Sequence, residues 1–364
     1  MTLAMLCSLS ANTMASDNVE INSFMTIGLA TSSNDDGTYL NRINNHISLE
    51  NDSHYGINIR TEVHDRLTGA AQLLASSDSS NFNVEAEWAY LSYKVTPQSS
   101  IRAGKLNLST FLLSDYITVG SLYPWIRPPS EVYENNPMKN YLGVEWLHIT
   151  RFGSFAKLTS QFFVGSAQVQ ENSSTLFQAQ DGYGVNFQLD TESVTLRIGA
   201  ITPEVVIEFA DPTNPAAPPT VFDQQDRALM YTAGLSWDFS GFIGYSEYVK
   251  TEVDNQTQAF FPNQEGFYLT LGMQIGDFLP HVTYAKSDGE DYTGTVPAPL
   301  TSAIEPNKQE SIALGLRYDI DDNIDFKVEY MVVEPQDGSN GLNSTPPSNG
   351  KDFNIISMAV DVIF

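Results

Sequence analysis

Glu85 and Glu87 are the residues whose spacing most suggests catalysis. Glycosidases use two carboxylates, one as acid and one as base or nucleophile. On a strand, residues i and i+2 share a face, so the same spacing also sets two acids on a charged wall, the reading that fits their surroundings better. The run Asp319 to Asn323 gathers acidic groups but lacks the glycine and terminal glutamate of an EF-hand loop. It reads as a hairpin turn. His46, His54, His64, His148 and His281 are scattered, with no pair at metal-ligand spacing. No G-x-S-x-G, P-loop or G-x-G-x-x-G run follows a strand. Cys7 is the only cysteine. These patterns lead to no expected catalytic residue, cofactor or metal ligand.

Charge is instead placed at alternate positions. Basic residues on one parity are Arg60, Lys157, Arg197, Arg317 and Lys327. Acidic residues on the same parity are Glu62, Glu85, Glu87, Glu145, Asp190, Asp238, Asp319, Asp325, Glu329 and Asp361. A set of this kind acts together only if extended strands carry it on one face.

The strands are legible. In 311–319, Ile312, Leu314, Leu316 and Tyr318 oppose Ser311, Ala313, Gly315, Arg317 and Asp319. In 324–332, Ile324, Phe326, Val328, Tyr330 and Val332 oppose Asp325, Lys327, Glu329 and Met331. Segments 266–275 and 356–364 repeat the pattern. Each runs about ten residues, the length a tilted strand needs to cross a bilayer. A soluble barrel places apolar residues inside and charge outside; here a charged face needs water and an apolar face needs lipid. Alternation alone does not say which face points inward; an aqueous lumen in a lipid belt is the inference.

Sixteen strands are expected, near 20–30, 53–63, 67–76, 83–94, 100–107, 141–149, 156–166, 182–190, 193–202, 228–238, 241–252, 265–275, 278–287, 309–319, 323–334 and 352–364. The first, fourth and eleventh alternate poorly, leaving fourteen and eighteen open. Short turns should share one rim with both termini. Long polar links near 31–53, 167–181, 203–227, 254–264, 288–308 and 336–351 should occupy the other. Trp88, Trp146, Trp237, Tyr318, Tyr330 and Phe364 are expected on apolar faces as an interfacial girdle.

Composition agrees. The formal net charge of −26, from 44 acidic and 18 basic residues, repels a phosphate backbone and excludes nucleic acid as a partner. No run of 18 apolar residues is present for a transmembrane helix. Residues 1–15, ending Thr13-Met14-Ala15, read as a truncated signal peptide without its basic start. Residues 16–364 are then one barrel domain.

The link after the fifth strand, 107–140, is the longest and is too apolar for a solvated loop. It holds Phe111-Leu112-Leu113 and Tyr123-Pro124-Trp125-Ile126-Arg127-Pro128-Pro129. Such a loop needs a surface to pack on, which inside a barrel is the inner wall. It adds Asp115, Glu131 and Glu134 against Arg127 and Lys139. Acids then exceed bases along the wall. A lumen about as wide as a Debye length, roughly 8 Å at physiological salt, transmits that excess to passing ions. Mild cation preference is expected.

The stretch Ala89-Tyr90-Leu91-Ser92-Tyr93, a turn, then Ile101-Arg102-Ala103-Gly104-Lys105 resembles the fourth and fifth strands of sixteen-stranded Gram-negative outer-membrane porins. The resemblance covers nearly the whole chain in pattern and is local in motif. It implies a third loop folded into the pore, with Lys105 facing it across the constriction, and a water-filled channel for ions and small hydrophilic solutes. It also implies the terminal Phe364 as the signal read by the assembly machinery, a homotrimer, and outer-membrane lipid and lipopolysaccharide as surroundings. The third loop here is more apolar and Pro-rich than in the best-known members, which puts their charge-by-charge constriction in question. Asp288-Gly289-Glu290-Asp291 and Asn34-Asp35-Asp36-Gly37 read as solvated outer loops, with divalent cations bound alongside lipopolysaccharide as the alternative. The competing functional readings are an outer-membrane barrel enzyme or adhesin, and a secreted all-β carbohydrate-binding protein.

Overall fold

The computed structural model describes residues 18–364 except 36, 50–51, 79–80, 173–174, 211–217, 298–299, 301, 337–338 and 345–351. The expected signal peptide at 1–15 lies outside the described residues. Sixteen strands follow one another: β1 (Val19–Ser32), β2 (His54–His64), β3 (Leu67–Asp78), β4 (Asn81–Lys94), β5 (Ser99–Asn107), β6 (Asn140–Phe152), β7 (Ala156–Asn172) and β8 (Thr175–Thr191). They continue as β9 (Val194–Phe209), β10 (Thr220–Phe239), β11 (Phe242–Val253), β12 (Gln264–Met273), β13 (Phe278–Gly289), β14 (Gln309–Asp321), β15 (Ile324–Pro335) and β16 (Phe353–Ile363). Each pairs antiparallel with the next. β16 closes on β1 in a register from Phe24 opposite Ile363 to Ser32 opposite Ile355. Closure pairs both edges of the sheet, which a strand in lipid requires. The described helix is minor: a single turn, α1 (Ser130–Tyr133), and two 3-10 turns. No helix of the described residues is long and apolar enough to cross a membrane.

Burial settles which face points inward. Leu91, Val144, Trp146, Phe162, Ile198, Ile312, Leu314 and Tyr330 are exposed, while Glu145, Gln161, Arg197, Thr232, Glu247, Thr270, Lys327 and Asp361 are buried. The accounting is the reverse of a soluble core. An exterior this apolar is stable only against an apolar solvent. The fold is thus that of the closed, membrane-spanning barrels.

Short turns at 65–66, 95–98, 153–155, 192–193, 240–241, 274–277 and 322–323 share one rim with the start of β1 and the end of β16. At Ser240-Gly241 both residues have positive φ, 56° and 89°, the conformation of a two-residue hairpin whose twist matches its strands. The opposite rim carries the longer links.

Three details differ from expectation. Residues 167–181 are not a long link: β7 and β8 continue through them, with Ala167 opposite Ala179. The link expected at 203–227 shrinks to 210–219, because β9 and β10 extend beyond their expected ends. In both places the register shifts, between Gly165 and Ala167, Gln180 and Tyr183, and Asp223 and Arg227. A bulge puts the alternation out of phase, so the pattern reads as broken where the strand persists. The third detail is Trp88. Glu87 is left unpaired between Ala86 and Trp88, which pair with Leu73 and Gln72. This bulge turns Trp88 to the inner parity beside Tyr90, ring centroids 5.5 Å apart, and away from the exterior girdle.

Candidate functional site: the lumen and its inserted loop

The link between β5 and β6, residues 108–139, leaves the rim and packs on the inner wall of β10 to β16. Its apolar residues find there the surface they require. Phe111, Leu112, Leu113, Tyr123, Trp125, Val132 and Tyr133 form one buried cluster with wall residues Met230, Val249, Tyr268 and Ala285. Each such large side chain contributes about 1.5–3 kcal/mol by leaving water. Trp125 is the anchor. Its indole N–H donates to the hydroxyls of Thr270 at 3.1 Å and Thr283 at 2.9 Å, and its ring meets Tyr245 and Tyr268 edge-on.

Charged wall residues hold the loop's backbone. Lys327 is 0% exposed; its Nζ donates to the carbonyls of Gly120 at 2.7 Å and Trp125 at 2.9 Å. It pairs with Asp361 at 3.0 Å and lies 5.0 Å from the Tyr123 ring centroid. Arg317 donates to the Ser121 carbonyl at 2.6 Å and pairs with Asp319 at 2.6 Å and Asp325 at 3.4 Å. Glu329 accepts from the Ile126 N–H at 3.1 Å. Buried carbonyls and N–H groups of a loop need such partners, and the charges need the loop for the same reason.

The loop contributes its own charges to the lock. Arg127 pairs with Asp52 and donates to the Ser357 hydroxyl. Burial opposes the Arg127 charge, but the Asp52 carboxylate and its hydrogen bond outweigh that and raise the guanidinium above its ordinary pKa. Glu131 is buried and accepts from Gln309 at 2.7 Å. Tyr133 donates to Glu247, which also accepts from the Leu112 N–H at 2.7 Å and the Tyr268 hydroxyl at 2.9 Å. Burial, then the Glu247 charge, raises the Tyr133 phenol well above its usual pKa and keeps it a neutral donor. At the loop's other edge His54 donates to the Thr118 carbonyl at 2.7 Å.

The remaining expected residues lie elsewhere. Glu145 is 2% exposed; it pairs with Arg102 and accepts from Gln161 at 2.6 Å and Tyr141 at 3.1 Å. Arg197 is buried, donates to Gln188 at 3.0 Å and holds the Ser109 carbonyl at the loop's start. Asp115 is exposed and accepts from Ser109 at 2.7 Å, and Glu134 is exposed just after α1. Arg60, Glu62 and Glu85 are exposed on inward positions of β2 and β4, and Glu87 is buried at the β4 bulge.

Lys105 departs from the expectation. It pairs with Leu142, which is 69% exposed, and shares its parity with the exposed Ile101 and Ala103. Its Nζ donates to the Ala86 carbonyl at 2.8 Å. Lys105 therefore lies on the outer face, not across the constriction. The inward base on β5 is Arg102, paired with Glu145 and 5.3 Å from the Tyr90 ring centroid. Alternation identifies it: Arg102 opposes the apolar Ile101. Glu247 and Asp52 were also not singled out by sequence. Glu247 lies on the poorly alternating β11, and Asp52 lies in a link.

Among the described residues, no group of three or more His, Cys, Asp or Glu is placed to hold a metal ion. At the carboxyl end, the Phe364 N–H donates to the Ser23 carbonyl at 2.9 Å and its own carbonyl accepts from Ser23 at 2.8 Å. This tie completes the seam of β16 on β1.

No protein-family model matches the chain, and no curated protein sequence matches it. Solved structures are similar in fold. An anion-selective porin from Comamonas acidovorans superposes with TM-score 0.61 at 13% identity, over 95% of this chain and 100% of that one. OmpF from Salmonella typhi, in complex with daunomycin, gives 0.60 at 14% identity, over 95% and 98%. The outer-membrane channel DcaP of Acinetobacter baumannii gives 0.59 at 12% identity, over 96% and 99%. At these identities the likeness is one of fold.

Proposed function

We propose that this chain is an outer-membrane porin of a Gram-negative bacterium, a water-filled channel for passive diffusion of ions and small hydrophilic solutes. The observation that carries the reading is the loop 108–139, seated inside a closed barrel by buried ion pairs and a Trp125 anchor. A loop fixed on one side of a lumen narrows it without demanding any chemistry. The sixteen-stranded porin and channel neighbours support the same reading.

The charges suggest mild cation preference. Lys327, Arg317 and Arg127 are engaged with carboxylates and loop carbonyls, so passing ions meet them largely neutralised. Glu62, Glu85, Asp115 and Glu134 stay exposed, against Arg60 and Lys139. Acid thus exceeds base where water reaches the wall. Phe364 serves in this reading as the assembly signal, and the functional unit is a homotrimer in lipid and lipopolysaccharide.

Liposome swelling with graded sugars and organic acids tests the proposal. A rate that falls smoothly with solute size supports a general pore. Absence of swelling with the smallest sugar, in vesicles holding folded protein, overturns it.

A further inference from the structure

The inserted loop leaves one stretch of inner wall uncovered. It is tied to both flanks of that stretch. On one side Gln72 of β3 donates to the Thr118 hydroxyl at 3.0 Å, next to the His54 contact. On the other, Arg197 of β9 holds the Ser109 carbonyl. Between these flanks stand β4 to β8. Gln72, Glu145, Gln161 and Asn186 are buried, whereas Trp88, Tyr90 and Arg102 on β4 and β5 keep part of their surface open. We infer that the passage beside the loop runs along β4 and β5, that Trp88 and Tyr90 set its size limit, and that Asp115 sets its charge preference. The inference rests on the channel reading and assigns its selectivity to residues.

The sheet builds this wall from a bulge. Bulges re-aim side chains, and the one at Glu87 turns Trp88 inward, where it pairs with Gln72. Tyr90, two residues on, shares that face, and the two ring centroids lie 5.5 Å apart. The Arg102 guanidinium lies 5.3 Å from the Tyr90 centroid and pairs with Glu145. Glu145 is held in turn by Tyr141 and Gln161. Tyr90 also packs against the cluster of Leu106, Leu108, Tyr141 and Phe163. A guanidinium fixed by a carboxylate and stacked on a ring holds that ring in place. Trp and Tyr have two χ angles each and give a stiff wall, where a long polar side chain would yield to a passing solute.

Charge is supplied from the opposite side. Arg102 and Glu145 neutralise each other. What the loop adds beside them is the Asp115 carboxylate, exposed and within electrostatic reach of Arg102. An ion squeezed past the loop comes within a Debye length of it, roughly 8 Å at physiological salt, and feels it little screened. Size and charge are thus selected by different residues on different sides of one passage.

The test uses the full chain in planar bilayers and liposomes. Trp88→Ala and Tyr90→Ala should raise single-channel conductance and let a disaccharide swell liposomes at a rate approaching that of a pentose, with the sign of the reversal potential unchanged. Asp115→Asn, which keeps an acceptor for Ser109, should lose most of the cation preference at the wild-type size limit. Cysteine variants in a Cys7→Ser background locate the passage. On reaction with a cationic methanethiosulfonate, Trp88→Cys should lose most of its current. Glu62→Cys, near the 65–66 turn, should lose less, and Leu91→Cys, on the outer face, none. Conducting barrels in which Trp88→Ala and Tyr90→Ala keep the wild-type conductance and cutoff overturn the assignment of the rings and leave the channel reading standing. A Trp88→Cys current untouched by the reagent does the same. An unchanged reversal potential in Asp115→Asn overturns its role. Folded wild-type barrels that pass no current overturn the inference and the channel reading together.

Discussion

Lys327→Met is the sharpest perturbation of the loop's lock. The substitution keeps the volume of the stem and removes the ammonium. Asp361, 3.0 Å away, then loses its buried cation, Asp325 is left with Arg317 alone at 3.4 Å, and the Gly120 and Trp125 carbonyls lose their donor. Removing one partner of a buried ion pair costs about 3–5 kcal/mol, and each orphaned buried carbonyl adds about 1–3 kcal/mol. Because these bonds join the loop to the wall and not strand to strand, the penalty falls on docking of 108–139. The ion-pair share alone, about 3–5 kcal/mol, shifts that docking equilibrium by roughly two to three and a half powers of ten. In a planar bilayer the variant should show larger and noisier single-channel steps than wild type, with an unchanged β-sheet signal in circular dichroism. Lys327→Met combined with Asp361→Asn should recover part of the quiet behaviour by removing the unpaired carboxylate. Conductance and noise identical to wild type in Lys327→Met would refute the claim that this ammonium holds the loop.

Other outcomes follow from the same geometry. Under a KCl gradient the reversal potential should show mild cation preference that shrinks as salt rises and screening shortens, and clear anion selectivity would contradict the wall assignment. Arg60→Ala should move that potential further toward cations without altering thermal stability, as expected of an exposed lumen charge. Ile198→Arg, on the outward face of β9, should lower stability in lipid by about 2–4 kcal/mol if it sits near the bilayer midplane, measured by reversible urea unfolding in vesicles. Lys105→Ala should leave conductance and selectivity unchanged, because its ammonium is tied to the Ala86 carbonyl on the outer face; a changed reversal potential would return Lys105 to the lumen.

Most of the barrel was legible because lipid outside and water inside impose the same contrast on every strand. Segments such as 311–319, 324–332 and 356–364 keep strict phase, and there the inward parity read from sequence coincides with the buried one, down to Lys327 and Asp361. Legibility fails where that contrast fails. The upper parts of β7 to β10 turn Ala167, Ala179, Val205 and Ile207 inward and Gln168, Gln178, Gln180 and Glu208 outward, so the contrast is reversed and bulges break the phase. The strands there read as links. A single bulge residue, Glu87, was enough to misplace Trp88. Lys105 was placed by likeness of motif although its neighbours Ile101 and Ala103 put it on the apolar face, and the same alternation points to Arg102. The loop's destination was legible from its apolar composition. Its partners were not, since Asp52, Glu247, Thr270 and Thr283 come from distant strands and links that only closure of the barrel brings together.

The central claim is an open lumen narrowed by a docked loop, and conductance of the purified wild-type protein in a planar bilayer tests it most directly. The account predicts discrete, ohmic current steps of uniform size whose conductance rises with KCl concentration. Folded protein that inserts into the bilayer and yields no current steps would contradict it.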